Sequence, residues 1–372
     1  MTIRFRYKYI FILFHLLLSP ICMGQDFIHP GMLHTDTDLK AIKERILSKK
    51  EPWETAWLEL KHSDLASLDY QPKPFQIVSN GPYNKPDNGG SDFVRDGAAA
   101  YTMTLLWYVE QKKEYAEKAI EILDAWSMTL DSVVNHNRQL KVGTGGIKYL
   151  NAAEILRYTY TGWDKKAQQR FENMVYNIWY PVIKDWTPRY NGNWDAANAQ
   201  TLMCIGIFLN RRDIFDNACR QITDGPTNGA IKYYFYESGQ CQESGRDQQH
   251  VQMGLGFLAC AAEIAWNQGI DLYGVFNNRL YHGFEYTAKY MSGEEVPYKQ
   301  YITWYGKSVF GNTISTGQRT KICPAWERAY RHYHNRKGMG MPYTRKIIEK
   351  GRPEGYKNQS FIPWSTLTCA EE

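Results

Sequence analysis

The chain of 372 residues carries 44 Lys and Arg against 39 Asp and Glu, a formal net charge of +5. Its first 24 residues hold three of the positive charges, Arg4, Arg6 and Lys8, and no acid, so the net charge of the remainder is +2. A nearly neutral protein lacks the basic excess that nucleic-acid binding requires, and we expect no nucleic-acid partner. The length exceeds that of an ordinary domain, but no Pro, Gly or Ser-rich linker divides the chain. We therefore expect residues 25–372 to form a single domain.

The N-terminus joins these basic residues to an apolar run and to the small-residue site Cys22-Met23-Gly24. This pattern predicts a secretory signal peptide over residues 1–24, which is too short for a membrane span. The expected mature protein is exported, periplasmic or secreted, without stable membrane insertion, and a monomer. Lipoprotein anchoring is disfavoured because Ile21 is not the small residue that lipidation at Cys22 requires.

Apolar residues recur at spacings of three and four along most of the remaining chain, which predicts helices. Loops are predicted at the Gly, Pro and Asn-rich segments 81–90, 143–146 and 223–229, and some strand near 298–320. Successive helical hairpins favour an all-α dominated fold, an (α/α) toroid built as an incomplete barrel of helical hairpins with little β-structure. The predicted helices cover residues 36–48, 53–67, 91–110, 114–127, 148–161, 165–184, 194–209, 246–267 and 272–291, with shorter ones near 324–335 and 343–350.

Amide side chains gather where the helix at 194–209 begins, in the segment R-Y-N-G-N-W-D-A-A-N-A-Q. Asn191, Asn193 and Asn198 surround Trp194 there. Asparagine at a helix start is ordinarily a cap, but three amides beside an indole also suit a cradle for a sugar or a carboxylate. The 27 Tyr and 12 Trp of the chain fit either a helical core or a cleft that stacks on sugar rings.

A second polar cluster, E-S-G-R-D-Q-Q-H over residues 243–250, stands directly before a long apolar run. Arg246 and His250 are four residues apart, so on a helix they share a face, with Glu243 and Asp247 close to it. Polar groups at the start of a buried helix are costly unless they are paired. The cluster therefore forms either a structural capping network or the wall of a water-filled cleft.

A metal site of Glu243, Asp247 and His250 is conceivable but unsupported. The segment lacks the second histidine of H-E-x-x-H and any ligand-rich loop. The six cysteines after residue 24 contain no C-x-x-C pair. Export permits disulfides, whereas Cys204 and Cys260 lie in apolar helical runs that are typical of buried thiols. We expect neither a metal nor a cofactor.

Taken in order, these segments resemble the alginate-lyase-like polysaccharide lyases of α/α-toroid fold. The resemblance extends over roughly residues 90–290. It is carried by D-G-A-A-A-Y-T-M-T-L-L-W, E-Y-A-E-K-A-I-E-I-L-D-A-W, N-A-A-E-I-L-R-Y, N-G-N-W-D-A-A-N-A-Q-T-L-M-C-I-G, E-S-G-R-D-Q-Q-H and G-I-D-L-Y.

The resemblance implies an exported lyase that cleaves a 1,4-linked uronic-acid polymer by β-elimination. Alginate or polymannuronate is the first expectation for this acidic polysaccharide and glucuronan the alternative. Such an enzyme neutralises the C6 carboxylate, removes the C5 proton and protonates the departing O4. The implied roles are carboxylate binding by Asn193 and Arg246, and proton abstraction by His250. One departure matters: typical members carry an Asn-His pair where this chain has Asn193-Trp194.

A tyrosine from V-P-Y-K-Q-Y-I-T-W-Y-G-K-S is expected to be the acid. Tyr305 is the first choice because Gly306 lets the backbone turn and present the ring to a cleft. Tyr298 and Tyr301 remain alternatives. The residues expected to contact substrate are Asn191, Trp194, Asn198, Gln249, Glu243, Tyr301, Tyr298, Arg95 and Tyr149.

Two other functions fit the same residues. A glycoside hydrolase of the same fold would need two carboxylates beside the scissile bond, drawn from Asp92, Asp96, Glu243 and Asp247. A non-catalytic glycan-binding protein would keep the aromatic and amide side chains without a working acid and base. Elimination leaves a conjugated C4–C5 double bond that absorbs ultraviolet light, which neither alternative produces.

Overall fold

The computed structural model describes residues 26–371, so the predicted signal peptide lies outside the described residues. Helices dominate these residues, with two small patches of strand. The helices are α1 (Asp36–Leu47), α2 (Trp53–His62), α3 (Gly90–Glu110), α4 (Lys113–Thr129), α5 (Arg138–Thr159), α6 (Lys165–Met174), α7 (Tyr180–Ile183), α8 (Gly192–Phe208), α9 (Arg212–Thr223), α10 (Ile231–Tyr234), α11 (Gln248–Asn267), α12 (Val275–Met291), α13 (Glu327–Tyr330), α14 (Pro342–Gly351) and α15 (Ser365–Cys369).

Four long helices form the inner layer of the protein. Helix α3 packs against α5, α5 against α8, and α8 against α11, while α4, α9 and α12 pack outside α3, α8 and α11. Every residue of α8 is buried, which explains why this helix has no polar face in the sequence. The alternation of inner and outer helices is the arrangement of helical hairpins that the periodicity predicts.

Helix α5 begins earlier than the sequence predicts. It begins at Arg138 and runs through the G-T-G-G segment at 143–146 that was expected to be a loop. The glycines serve close helix packing: a Cβ on Gly145 would lie 2.5 Å from the ring of Phe93, and one on Gly143 would lie 2.8 Å from the backbone of Ala197. The absence of side chains here lets α3 and α8 approach α5, an advantage that outweighs the low helix propensity of glycine.

Smaller differences concern helix ends. Helix α2 stops at His62, with a short 3₁₀ turn after it, instead of continuing to residue 67. A π-helical turn at Val175–Trp179 separates α6 from α7, where one continuous helix was expected. Helix α9 was not predicted. Helix α11 begins at Gln248 rather than Arg246 because the Asp247 side chain caps it by accepting from the His250 amide.

The strands are short. Strand β1 (Ile77–Asn80) pairs antiparallel with β2 (Asp87–Asn88) and parallel with β3 (Ser132–Val134), and β4 (Tyr301–Ile302) pairs antiparallel with β5 (Ser308–Val309). The first sheet fixes the segment before α5, since the Asn137 amide donates to Asn80 O at 2.9 Å and its side chain donates to Gly81 O at 2.6 Å.

Two further observations concern the described part of the chain. The six cysteines between residues 26 and 371 are all buried and unpaired, in agreement with the expectation for Cys204 and Cys260. Within the same residues, no helix combines the length and apolar character that crossing a membrane requires.

Candidate active site

A cavity of about 760 Å³ lies where the inner helices begin. Asn137, Asn191 and Asp247 are the N-cap residues of α5, α8 and α11, and the first turn of each of these helices contributes to the cavity wall. Helix N-termini carry partial positive charge and unsatisfied amides, so they favour a bound anion. The fold therefore prepares this cavity for negatively charged groups before any side chain is considered.

The charged side chains of the cavity strengthen that preference. Its cations come from separate parts of the chain, and no Asp or Glu occurs among its described lining residues. Burial lowers the pKa of Lys141 from its usual value, while the Asp87 carboxylate opposes that effect. A cavity with cations and without carboxylates suits a polyanion. The cations are Lys141, Arg189, Arg246, Lys321 and Lys357.

His250 enters the cavity from the first turn of α11 with its ring already oriented. Its Nδ1 lies 2.6 Å from Asp247 Oδ2, and its backbone amide donates to Asp247 Oδ1 at 2.9 Å. Burial alone would raise the pKa of Asp247, but the hydrogen bonds from His250 hold it below the usual value. Because an ionised Asp247 accepts a hydrogen bond from the Nδ1–H of His250, the free lone pair of the imidazole lies on Nε2.

Arg246 is held by a fully buried acid. Glu243 Oε1 lies 2.9 Å from Arg246 Nη1, and Tyr234 donates to Glu243 Oε2 at 2.6 Å. Burial raises the pKa of the Glu243 carboxyl, against the opposing effects of His250 and Arg246. Glu243 was expected to touch substrate, but its carboxylate is 0% exposed. The structure places it behind Arg246, where it orients the guanidinium.

The amides of α8 are free to bind a ligand. Asn193 lines the cavity, and its buried Oδ1 has no hydrogen-bond partner. Asn191 caps α8 without a side-chain capping bond and also lines the cavity. Asn198 does not reach the cavity wall: it is fully buried, with both side-chain polar atoms unpartnered. Asn193 therefore offers a buried hydrogen-bond acceptor to a ligand in the cavity.

An aromatic wall faces these amides, and only part of it was expected. Trp194 lines the cavity as predicted. The ring of Tyr190 lies 4.5 Å from that of Trp194, and the ring of His136 lies 5.5 Å from Trp194. His136 comes from the loop before α5, so an imidazole stands beside the position where the family pattern would have a histidine. Sequence reasoning missed Tyr190 and His136 because nothing in their local pattern marks them.

The three tyrosines proposed as the acid lie outside the cavity wall. Tyr301 is 1% exposed and packs 5.3 Å from the ring of Tyr236. Tyr298 donates to Gly311 O at 2.8 Å and lines a different cavity. Tyr305 comes nearest, since the Arg189 guanidinium lies 5.3 Å from its ring centroid. Tyr83 and Tyr190 are the tyrosines among the described lining residues.

Of the remaining residues predicted to contact substrate, one lies on the cavity wall and two do not. Gln249 lines the cavity and accepts a hydrogen bond from Lys321 Nζ at 2.6 Å. Tyr149 is fully buried and donates to Phe93 O at 2.9 Å. Arg95 is paired with Asp64. Tyr149 and Arg95 therefore belong to the packing around α3, away from the cavity wall.

The carboxylates required by a hydrolase are not on the wall either. Asp96 is buried and accepts from Tyr70 at 2.7 Å and from Trp126 at 2.7 Å, while Glu243 and Asp247 orient Arg246 and His250. Asp92 is absent from the lining residues. Within residues 26–371, no group of three or more His, Cys, Asp and Glu side chains could hold a metal ion.

The fold and this cationic cavity together define the toroid polysaccharide lyases as the class of the protein. The family model described as alginate lyase matches residues 45–297, which is more than half of the chain. The chain belongs to the alginate lyase family. No curated protein sequence matches it significantly.

Solved structures confirm the expected α/α toroid. Alginate lyase A1-III from Sphingomonas species A1 matches with a TM-score of 0.59 and 16% identity over 90% of this chain and 95% of that one. An alginate lyase from Bacteroides ovatus matches with a TM-score of 0.62 and 12% identity over 93% and 100% of the two chains. A tyrosine-to-phenylalanine variant of A1-III complexed with a tetrasaccharide matches with a TM-score of 0.59 and 18% identity over 90% and 94%. At these identities the likeness establishes the fold alone.

Proposed function

We propose that the protein cleaves a 1,4-linked uronic-acid polymer, with alginate rich in mannuronate as the preferred substrate, by β-elimination. The observation that carries this proposal is the composition of the central cavity: five cations, no lining carboxylate, and a histidine oriented by an aspartate. A polymer with one carboxylate per sugar complements such a cavity. The tetrasaccharide complex of the A1-III variant supports an oligosaccharide ligand for this fold.

Arg246 and Asn193 bind the C6 carboxylate in this proposal. Neutralising that group makes the C5 proton acidic, because the negative charge that develops at C5 spreads into the carboxylate. Arg246 suits the task because Glu243 fixes one of its nitrogens at 2.9 Å and leaves the other donors of the guanidinium for a ligand. Asn193 donates to the carboxylate through its Nδ2 amide, while its Oδ1, an acceptor with no partner in the protein, is left for a sugar hydroxyl.

His250 removes the C5 proton through Nε2, since Asp247 occupies Nδ1. The electron pair of the C5–H bond forms the C4–C5 double bond, the C4–O4 bond breaks, and O4 takes a proton from an acid. We assign that acid to Tyr190 rather than Tyr305, because Tyr190 lies on the cavity wall and contacts Trp194. The products are a new chain end at O4 and an unsaturated uronate on the other fragment.

The test is a set of uronans incubated with the purified protein. Polymannuronate, polyguluronate and glucuronan should be compared by ultraviolet absorbance of the double bond and by release of reducing ends. We expect both signals to rise together, and fastest on polymannuronate. Arg246→Ala should lower turnover by about 100-fold, as expected for loss of one charge-stabilising donor. Reducing ends without absorbance would indicate a hydrolase, and binding without either signal a glycan-binding protein.

Export is proposed on the sequence alone. The basic residues, apolar run and small-residue site of residues 1–24 form the pattern of a cleaved signal peptide. Sequencing the N-terminus of the protein recovered from the cell envelope and medium would test the proposal. A start just after Gly24 is expected, and a cell-associated protein that retains residues 1–24 would contradict it.

A further inference from the structure

A second cavity of about 630 Å³ is formed by the segment around Tyr236, the start of α12 and the segment before β4. Its lining includes three basic side chains, Lys232, Arg279 and Lys299, and the tyrosines Tyr236 and Tyr298. We propose that this cavity binds a second segment of the acidic polysaccharide, outside the catalytic cavity. The inference rests on the proposed function, because it takes the ligand to be the same polymer.

Hydrogen bonds hold the walls of the second cavity in place. Gln240, 1% exposed, donates to Lys299 O at 2.6 Å and accepts from Lys299 N at 3.0 Å. The hydroxyl of Tyr236 accepts from Ile302 N at 3.0 Å and donates to Gln300 O at 3.3 Å. Gln240 and Tyr236 thus fix residues 299–302 in place by hydrogen bonds, so the cavity exists before a ligand arrives.

The cations of this cavity are weakly paired. Arg279 Nη2 lies 3.6 Å from Glu237, whose side chain is 93% exposed, and Lys232 lies 3.4 Å from Asp224, which is 74% exposed. Lys299 Nζ lies 4.0 Å from the ring centroid of Tyr236. Glu237 also lines this cavity, and Arg279, whose side chain is 14% exposed, donates from Nη1 to Phe235 O at 2.9 Å. Because the partner carboxylates are exposed and lie at long distances from the cations, a uronate carboxylate can replace them. Tyr298 adds an aromatic ring to the lining that can contact the sugar.

The segment of residues 297–311 contributes Pro297, Tyr298 and Lys299 to the second cavity and contacts residues next to the wall of the catalytic cavity. On the catalytic side, Trp304 Nε1 donates at 2.5 Å to the carbonyl of Pro188, the residue before Arg189 of the catalytic wall. On the other side, Tyr298 packs so closely over Gly245 that a Cβ there would lie 2.3 Å from its hydroxyl, next to Arg246. Because this segment lines one cavity and contacts the neighbours of Arg189 and Arg246 in the other, a long polymer that crosses it can occupy both cavities while a short oligosaccharide fills one.

The test measures binding in a His250→Ala background, so that the polymer is not cleaved. Arg279→Gln and Lys299→Gln together should weaken retention of the protein in gels containing long polymannuronate by about 10-fold or more, while tetrasaccharide affinity changes little. The matched control is Lys165→Gln with Lys166→Gln, which removes the same charge from exposed positions at the start of α6. Melting temperatures should confirm that each variant is folded.

Retention of the Arg279/Lys299 variant that is unchanged from the His250→Ala parent would overturn the inference. An equal loss of retention in the variant and its control would also overturn it, because that result reports net charge alone. The catalytic proposal is judged separately by the wild-type protein. If the wild type produces the double bond while the Arg279/Lys299 variant binds long polymer normally, only the second cavity loses its assignment. If the wild type neither binds nor cleaves any uronan, both proposals fail.

Discussion

Asp247 accepts two hydrogen bonds from His250, one from the imidazole Nδ1 at 2.6 Å and one from the backbone amide at 2.9 Å. A single carboxylate therefore caps helix α11 and orients the proposed base. These two roles explain why the polar cluster lies where a buried helix begins, since the start of α11 is also part of the cavity wall. Substitution of Asp247 can separate its contribution to helix capping from its contribution to the orientation of His250.

Asp247→Asn should reduce kcat/KM by about 10- to 100-fold, because a misplaced catalytic group loses rate steeply with small displacements. The asparagine can still cap α11 through its side-chain oxygen, so unfolding free energy should fall by less than about 1 kcal/mol. Steady-state kinetics and urea unfolding would check both expectations. A large loss of stability with an unchanged rate would assign Asp247 to capping alone.

The tyrosine that protonates O4 is tested by removing single hydroxyls. Tyr190→Phe should lower kcat by about 100-fold or more while KM and melting temperature stay near wild type, as expected for loss of a general acid. Tyr305→Phe is the matched control, since its ring contacts Arg189 from outside the wall. If Tyr305→Phe is the inactive variant, Tyr305 is the acid, and the loop that carries it must close onto bound substrate.

A buried lysine supports the C-terminal part of the catalytic wall. Lys148, 0% exposed, donates to Gln359 O at 2.5 Å, and the residues 357–360 line the cavity. Burial lowers the pKa of this amine well below its usual value, with a smaller effect from Lys141. Burial thus disfavours the charged form of this lysine.

Lys148→Met should raise KM several-fold for uronan while costing only about 1 kcal/mol of unfolding free energy, since one hydrogen bond is lost and the apolar chain is kept. Kinetics and urea unfolding would provide both values. The exposed Lys184→Met serves as the control for the loss of a lysine. A fall in stability without any change in KM would limit Lys148 to packing.

Acid stability should depend on Asp38. Burial would raise the pKa of this carboxyl, but the Arg331 guanidinium lowers it from 3.8 to about 2. A group with a depressed folded-state pKa stabilises the protein above its unfolded-state pKa and loses that effect as pH falls through the folded-state value. Asp38→Asn should therefore cost about 2 kcal/mol of unfolding free energy at pH 7, and little near pH 2.

Urea unfolding of the wild type and the Asp38→Asn variant, measured from pH 7 down to about pH 2, should show that the two unfolding free energies converge. Asp36→Asn, on the same helix but paired with Lys40 at the surface, should change stability by no more than about 0.5 kcal/mol. A difference at Asp38 that persists unchanged at low pH would exclude ionisation as its source.

Much of the fold was predictable because outer helices such as α4 and α6 carry a regular apolar face, and because the buried inner helices α3, α8 and α11 are long apolar runs in the sequence. The start of α5 was not, since glycines at 143–146 are loop-formers in sequence and close-packing residues only once Phe93 and Ala197 are placed against them. Propensity alone cannot reveal that reversal. Helix α9 was missed as well, although its apolar face is regular.

The site was predictable where its residues cluster in sequence and not elsewhere. Asn191, Asn193 and Trp194 open one inner helix, and Arg246 and His250 open another, so their local patterns located them on the wall. His136 and the cations Lys321 and Lys357 come from separate loops that only the fold brings together, whereas Tyr190 lies in the same segment as Asn191 but could equally have been a core aromatic. The choice of Tyr305 relied on its neighbour Gly306, which reports backbone freedom but not the direction of a side chain.

The central claim is that His250 removes the C5 proton of a uronate in the cationic cavity. The most direct test measures the rate of ultraviolet absorbance from polymannuronate for the wild type and for His250→Ala, with melting curves of both. We predict a steady rise for the wild type and a rate lower by about 10²- to 10⁴-fold for the variant at unchanged melting temperature. A variant that retains most of the wild-type rate would contradict the account.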